Sequence, residues 1–291
     1  MDDFQDKLAV ITGGASGVGL AIAAALGREG ARVVLADVEA EALESASTHL
    51  ANEGVTADGI VTDVSEQDSV DALARAVGER HGDVHILCNN AGVGAFEDKP
   101  AWELPLEDWR WTLDVNLWGV IHGMRSFLPA MLAHGQPGHI VNTSSGNGGL
   151  TLVPSTPIYS ASKSAVSSLT ESLHLQLAQA GAKIRASILY PGPNMVETNI
   201  FTAYRNRPGE LQRAEKQGQP PSLEDIKAIV REMGQELPTS TPEEVAGHFM
   251  DGLKGDAFWI LPMSERTEEA VRERFTNILE RRTPRAPQGL F

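Results

Sequence analysis

Leu8-Ala9-Val10-Ile11-Thr12 runs straight into Gly13-Gly14-Ala15-Ser16-Gly17-Val18-Gly19, and a helical pattern over 17–29 follows. The first five residues read as a strand buried on both faces. A glycine turn between a strand and a helix lets the backbone approach a ligand closely. Free N–H groups and the helix dipole then favour negative charge at the helix start. Gly13, Gly17 and Gly19, with Ser16 and Val18 between them, therefore predict a diphosphate cradle.

The same strand–helix rhythm continues outward. Apolar runs at Arg32–Asp37, Gly59–Thr62, Val84–Asn89, His139–Thr143 and Arg185–Tyr190 alternate with helical patterns at 39–53, 66–81, 106–134 and 157–180. Repeated strand–helix–strand units predict an α/β fold: a Rossmann-type, doubly wound parallel sheet. After Tyr190 the rhythm breaks. Residues 191–222 carry five prolines and three glycines and predict no strand. A helix is expected at 222–236. Another starts at Thr241-Pro242-Glu243-Glu244, where a capping hydroxyl, a first-turn proline and two acids suit a helix N-terminus. Ala257–Leu261 reads as a last strand, and 264–282 as a last helix. We expect one domain over 1–291, with a helical substrate lid at about 193–236 and a C-terminal extension at about 264–291.

Composition narrows the function. The 291 residues are 42% hydrophobic and 22% charged, as in an ordinary soluble protein, and the net charge of −15 argues against nucleic acid. No apolar run reaches the ~18 residues of a membrane span. The acidic start lacks the pattern of a secretory signal. One cysteine, Cys88, excludes an internal disulfide or a cysteine-based zinc cluster. A cytoplasmic location, a small-molecule substrate and no metal are the expectations.

Ligands of open parallel sheets lie beyond the carboxyl ends of the strands. Asp37 ends the second run, where a carboxylate accepts hydrogen bonds from ribose hydroxyls and repels a 2′-phosphate. No Arg or Lys occurs in the glycine turn or just after Asp37 to offset that repulsion. NAD is thus expected rather than NADP. Asp63-Val64 and Asn89-Asn90-Ala91-Gly92 end the next two runs and are placed to line the adenine and ribose groove. Asn89 could equally brace the sheet.

Tyr159 and Lys163 are four apart at the start of a helix and share a face. An ammonium near a phenol favours the phenolate, which a general base near neutral pH needs. Ser144 and Ser145 follow the fifth run, where a hydroxyl can steady charge on a substrate oxygen.

These residues resemble the short-chain dehydrogenase/reductase family over nearly the whole chain. The matches are the turn at 12–19, Asp63, Asn89-Asn90-Ala91-Gly92, Asn116, the serine after the fifth strand, Tyr159 with Lys163, and Pro191-Gly192. The resemblance implies that Tyr159 is the acid/base and that Lys163 binds the nicotinamide ribose and tunes the tyrosine. It implies that the serine orients the substrate oxygen and that Asn116 holds a proton-relay water. Tyr159 lies one residue further from Ser145 than the resemblance implies, so Ser144 stays open beside the preferred Ser145. Thr198, displaced by two residues, is placed at the nicotinamide carboxamide.

The implied reaction is hydride transfer between NAD and a secondary alcohol or ketone. An NADPH-dependent carbonyl reductase and a non-catalytic dinucleotide sensor are the alternatives. Met195, Ile200, Phe201 and Tyr204 in the lid predict a bulky apolar or aromatic substrate. The lid, Phe258–Pro262 and the C-terminus also resemble bacterial Cα-dehydrogenases that oxidise benzylic alcohols of lignin-derived aryl ethers. Apolar positions on the helices at 106–134 and 157–180, including Trp111 and Trp118, predict a homodimer or homotetramer.

Overall fold

The computed structural model describes every residue except 2, 97–98, 213–220 and 286–291. Parts of the expected lid, of the loop after Gly92 and of the C-terminal extension therefore lie outside the described residues.

Seven parallel strands form the sheet: β1 (Leu8–Thr12), β2 (Arg32–Asp37), β3 (Ala57–Val61), β4 (Ile86–Asn89), β5 (Gly138–Thr143), β6 (Ile184–Leu189) and, later in the chain, β9 (Trp259–Ile260). Their order is β3-β2-β1-β4-β5-β6-β9. The chain winds one way from β1 to β3 and the other way from β4 onward. β1 thus has β2 on one side and β4 on the other, and the crevice between their carboxyl ends is where such sheets bind ligands.

Helices cover both faces. One layer holds α1 (Gly17–Arg28), α2 (Ala40–Asn52) and α8 (Pro242–Lys254). Its core joins Ile22 and Leu26 to Leu35, Val245, Phe249 and Leu253. Phe249 is fully buried, and its truncation to Ala would cost about 3–5 kcal/mol. The other layer holds α3 (Gln67–His81), α4 (Leu106–Leu113), α5 (Gly119–Ala133) and α6 (Pro157–Gln179). There Val70, Leu73 and Phe127 pack with Leu87, Ile140 and Leu173. Among the described residues, no helix is long and apolar enough to cross a membrane.

The expected helix over 106–134 contains a π-helical turn, Asp114–Trp118, between α4 and α5. An inserted π turn shifts the side-chain register at one point, and Asn116 stands on it. The start of α8 is the expected one: Thr241 Oγ1 accepts from the Glu244 amide at 3.2 Å, and the Glu244 carboxylate accepts from the Thr241 amide at 2.8 Å.

The segment after Tyr190 is more ordered than its composition predicts. Two residues, β7 (Met195–Val196), pair in parallel with β8 (Thr239–Ser240). A pair this short leaves no periodic signal in sequence. It ties the two roots of the lid together. Between them lie 3-10 turns at Asn199–Asn206 and Gly209–Leu211 and helix α7 (Leu223–Glu232). The lid also has a buried anchor. Arg207 pairs with Asp108 of α4 at 2.6 Å, and its guanidinium lies 5.2 Å from the centre of the Trp111 ring. Trp111 is therefore buried under the lid and is not part of an outer apolar face, whereas Trp118 remains half-exposed. Leu173 and Leu177 of the second long helix, α6 (Pro157–Gln179), are likewise buried in the sheet layer. The last helix, α9 (Glu265–Leu279), folds back so that Arg274 donates to the Leu150 carbonyl at 2.8 Å.

Candidate active site

A cavity of about 1330 Å³ lies along the carboxyl edge of the sheet, beneath the segment expected to act as a lid. Gly13, Ser16, Gly17, Val18, Asp37, Asp63, Val64, Asn90, Ala91 and Gly92 line one half. Ser144, Ser145, Tyr159, Lys163 and Pro191 line the other, and Thr198 lies between them and the turn, against Gly17. Gly19, Asn116 and Gly192 are not among the lining residues.

The glycine turn fits a diphosphate in its geometry. Gly13 and Gly17 have φ of 64° and 52°, in the left-handed region that side chains disfavour. A Cβ on Gly19 would stand 2.1 Å from the Gly13 carbonyl oxygen and 2.7 Å from Asn90 Nδ2, so Gly19 closes the turn from behind. Thr12 and Asn90 brace it. Thr12 Oγ1 accepts from the Asn90 amide at 2.9 Å and the Ala91 amide at 3.1 Å, and Asn90 Nδ2 donates to the Thr12 carbonyl at 3.1 Å. Asn89 braces the sheet: it is buried and donates to Asn142 at 2.8 Å.

Asp37 stands beside the turn. Its carboxylate accepts from the Ala15 amide at 3.1 Å and from the Glu39 amide at 3.3 Å. Burial pushes its pKa up, and the two amides pull it back. Asp63 turns its carboxylate toward Ser65, accepting from the amide at 2.9 Å and the hydroxyl at 2.6 Å.

In the second half the two serines separate. Ser144 is buried, and its hydroxyl donates to the Lys163 carbonyl at 2.9 Å beside Ser167 Oγ, also at 2.9 Å. Ser145 accepts from the Asn147 amide at 3.2 Å, and its hydroxyl acts on the Tyr159 phenol so as to favour the phenolate. The loop after Ser145 makes a tight turn, where Gly148 has φ of 101° against the backbone of Ser160.

Tyr159 and Lys163 sit on one face of α6, but their contact is indirect. Lys163 Nζ donates to the Thr143 carbonyl at 2.9 Å and stands 5.8 Å from the centre of the Tyr159 ring. Burial raises the phenol's pKa, and the Ser145 hydroxyl only partly opposes it. Burial also pulls the lysine down to about 8. The sequence-based expectation of a lowered tyrosine is thus reversed here. Desolvation of the phenolate exceeds the help of its neighbours, and Phe96 covers the ring at 5.7 Å between centroids.

Asn116 is fully buried and spends its amide on protein. Oδ1 accepts from the Val93 amide at 2.8 Å; Nδ2 donates to the Val93 carbonyl at 2.9 Å and to Ser162 at 3.1 Å. It fixes the strand exit at Gly92. There an added Cβ would lie 3.4 Å from both Asn116 Oδ1 and Lys163 Nζ.

Three features of the cavity have no local signal in sequence. Phe96 bridges Tyr159 and the lid's Phe201, 5.2 Å away. Arg205 and Asn206 reach across to Glu39. Arg266, Glu269 and Glu273 of α9 contribute to the wall. Each joins residues distant in the chain.

Comparison with known proteins decides the family. The short chain dehydrogenase model matches residues 7–208. The chain belongs to the short-chain dehydrogenase family. It is 36% identical to the Cα-dehydrogenase of Sphingobium sp. strain SYK-6 over 285 residues, covering 98% of this chain and 89% of that protein. A short-chain dehydrogenase/reductase of Burkholderia phymatum, solved in complex with NAD, superposes with a TM-score of 0.88 at 39% identity, covering all of both chains. A metagenomic short-chain oxidoreductase solved with NADP matches at 36% identity and a TM-score of 0.62, covering 67% of this chain and 86% of that one. As a short-chain dehydrogenase, this chain is an oxidoreductase.

Proposed function

We propose that this short-chain dehydrogenase uses NAD to oxidise a bulky apolar or aromatic secondary alcohol to a ketone. The observation that carries the proposal is the shared cavity. One space joins the glycine turn and Asp37 to Ser145 and Tyr159, under a wall that includes Val93, Phe96, Val153, Phe201, Ile226 and Val230.

Gly13, Ser16, Gly17 and Val18 hold the diphosphate, and Asp37 takes the adenosine ribose. Asp63, Val64 and Asn90-Ala91-Gly92 line the adenine side, while Pro191 and Thr198 flank the nicotinamide. Bound NAD supplies a cationic ring and the acceptor for the hydride of the carbinol carbon. Tyr159, as phenolate, takes the hydroxyl proton while the carbon–oxygen double bond forms. Ser145 donates to the same oxygen and holds it at the phenol. Lys163 keeps positive charge beside the phenolate below pH 8 or so and reaches the ribose. Asn116 positions Lys163 and the Gly92 backbone. Burial works against the phenolate, and a cationic ring beside it would favour that form.

Phe96 against Tyr159, with Phe201 against Phe96, suits an aryl substrate, and the likeness to a Cα-dehydrogenase points the same way. A benzylic alcohol of a lignin-type aryl ether is the substrate class proposed. Half-exposed Trp118 and exposed Leu132 and Leu175 on α5, its π turn and α6 support a homodimer or homotetramer. The test is a panel of benzylic, cyclic and short aliphatic secondary alcohols, each with NAD and NADP. Turnover of aryl carbinols with NAD supports the reading; turnover restricted to short aliphatic alcohols, or NADP preference, refutes it.

A further inference from the structure

The adenosine end of the cavity carries a cation that no residue near Asp37 in sequence announces. Arg205 of the lid places Nε 3.1 Å and Nη2 2.5 Å from the two carboxylate oxygens of Glu39, a two-pronged pairing. Asn206 adds a third contact to Glu39 at 2.8 Å. Glu39 is two residues beyond Asp37, and its amide donates to the Asp37 carboxylate. Asp37, Glu39, Arg205 and Asn206 line the same cavity as Ser16 and Gly17. Thr198, at the start of this part of the lid, lies directly against the glycine turn: a Cβ on Gly17 would be 3.1 Å from its methyl.

Arg205 is also held independently of Glu39. Its Nη1 donates to the Thr202 carbonyl at 3.0 Å, the Thr202 hydroxyl at 3.1 Å and the Asn199 carbonyl at 3.4 Å. Removing Glu39 would thus leave the guanidinium in place and its outer edge free. A guanidinium so placed is a good partner for a phosphate dianion.

Resting on the reading of Asp37 as an NAD selector, we infer that Glu39 is a second cofactor-specificity residue. It occupies Arg205 and so denies a 2′-phosphate the one cation, among the described lining residues near Asp37, that would receive it. Selection then has two layers: Asp37 repels the 2′-phosphate, and Glu39 sequesters its partner. Glu39 carries its charge well into the acid range, because the Arg205 hydrogen bond and charge hold its carboxyl below the usual value.

The test needs no turnover. Calorimetry would measure binding of 5′-AMP and of adenosine 2′,5′-bisphosphate to the parent, Glu39→Ala, Arg205→Ala and the double variant. Glu39→Gln keeps the side chain's size and serves if Glu39→Ala folds poorly. Loss of Glu39 should strengthen bisphosphate binding at least tenfold, with AMP changed by less than threefold. The gain should vanish in the double variant. A gain that persists without Arg205 would mean that only a repulsive charge was removed, and would overturn the inference; so would no gain at all. The parent protein's own preference reports on Asp37 separately. Equal binding of both nucleotides by the parent defeats the NAD reading, whatever the double variant does.

Discussion

Lys163 Nζ donates to the Thr143 carbonyl at 2.9 Å, tying helix α6 to the end of β5 through a buried ammonium. This bond holds the ammonium 5.8 Å from the centre of the Tyr159 ring. Burial holds its pKa at about 8, against 10.5 when free. The unfolded chain therefore binds a proton that the folded chain releases between those values, and stability contributed by this site rises with pH across that window. From pH 8 to pH 10 the gain should be about 2 kcal/mol. Urea unfolding of the parent and Lys163→Met at both pH values would show it as a difference between the two proteins. Identical pH dependence would mean that the lysine is not desolvated.

Ser145 and Ser144 should separate in mutagenesis. Ser145→Ala removes a donor to the reacting oxygen, so kcat should fall on the order of 10²-fold with KM within about threefold. Ser144→Ala leaves the Lys163 carbonyl with one fewer donor and should cost about 1–3 kcal/mol of stability, with kcat little changed. Steady-state kinetics beside thermal melts would decide; the opposite pattern would assign the chemistry to Ser144.

The carboxylate of Asp37 should give NAD at least a tenfold advantage in kcat/KM over NADP, about 1.4 kcal/mol. Asp37→Ala should narrow that ratio. Parallel kinetics with both cofactors tests it, and parity in the parent protein would contradict it.

Trp118, Leu132 and Leu175 leave apolar surface exposed on α5, its π turn and α6. Pairing across a two-fold axis would cover it. Sedimentation at micromolar concentration should show a dimer or tetramer, and Trp118→Glu should shift it toward monomer. A parent protein sedimenting as a 31.2 kDa monomer would exclude the assembly.

Local patterns were legible wherever a residue's role follows from its near neighbours. β1 and β2 begin and end where their apolar runs do, because strands buried on both faces have no polar interruption. The Thr241 capping box and the Tyr159–Lys163 face also follow from short spacings. What sequence could not show depends on distant partners. Trp111 looked like outer apolar surface because Arg207, which covers it, is 96 residues away. The pairing of Arg205 with Glu39 spans 166 residues. Spacing placed Tyr159 beside Lys163 but carried no measure of burial, and burial sets the direction of both pKa shifts.

The central claim is that Tyr159 accepts the alcohol proton. Its most direct test is Tyr159→Phe, which removes the hydroxyl and keeps the ring packed against Phe96. In this variant kcat should fall by about 10²–10⁴-fold while NADH binding, followed by fluorescence titration, stays within about threefold of the parent. Activity within about threefold of the parent would contradict it and assign the base to another group.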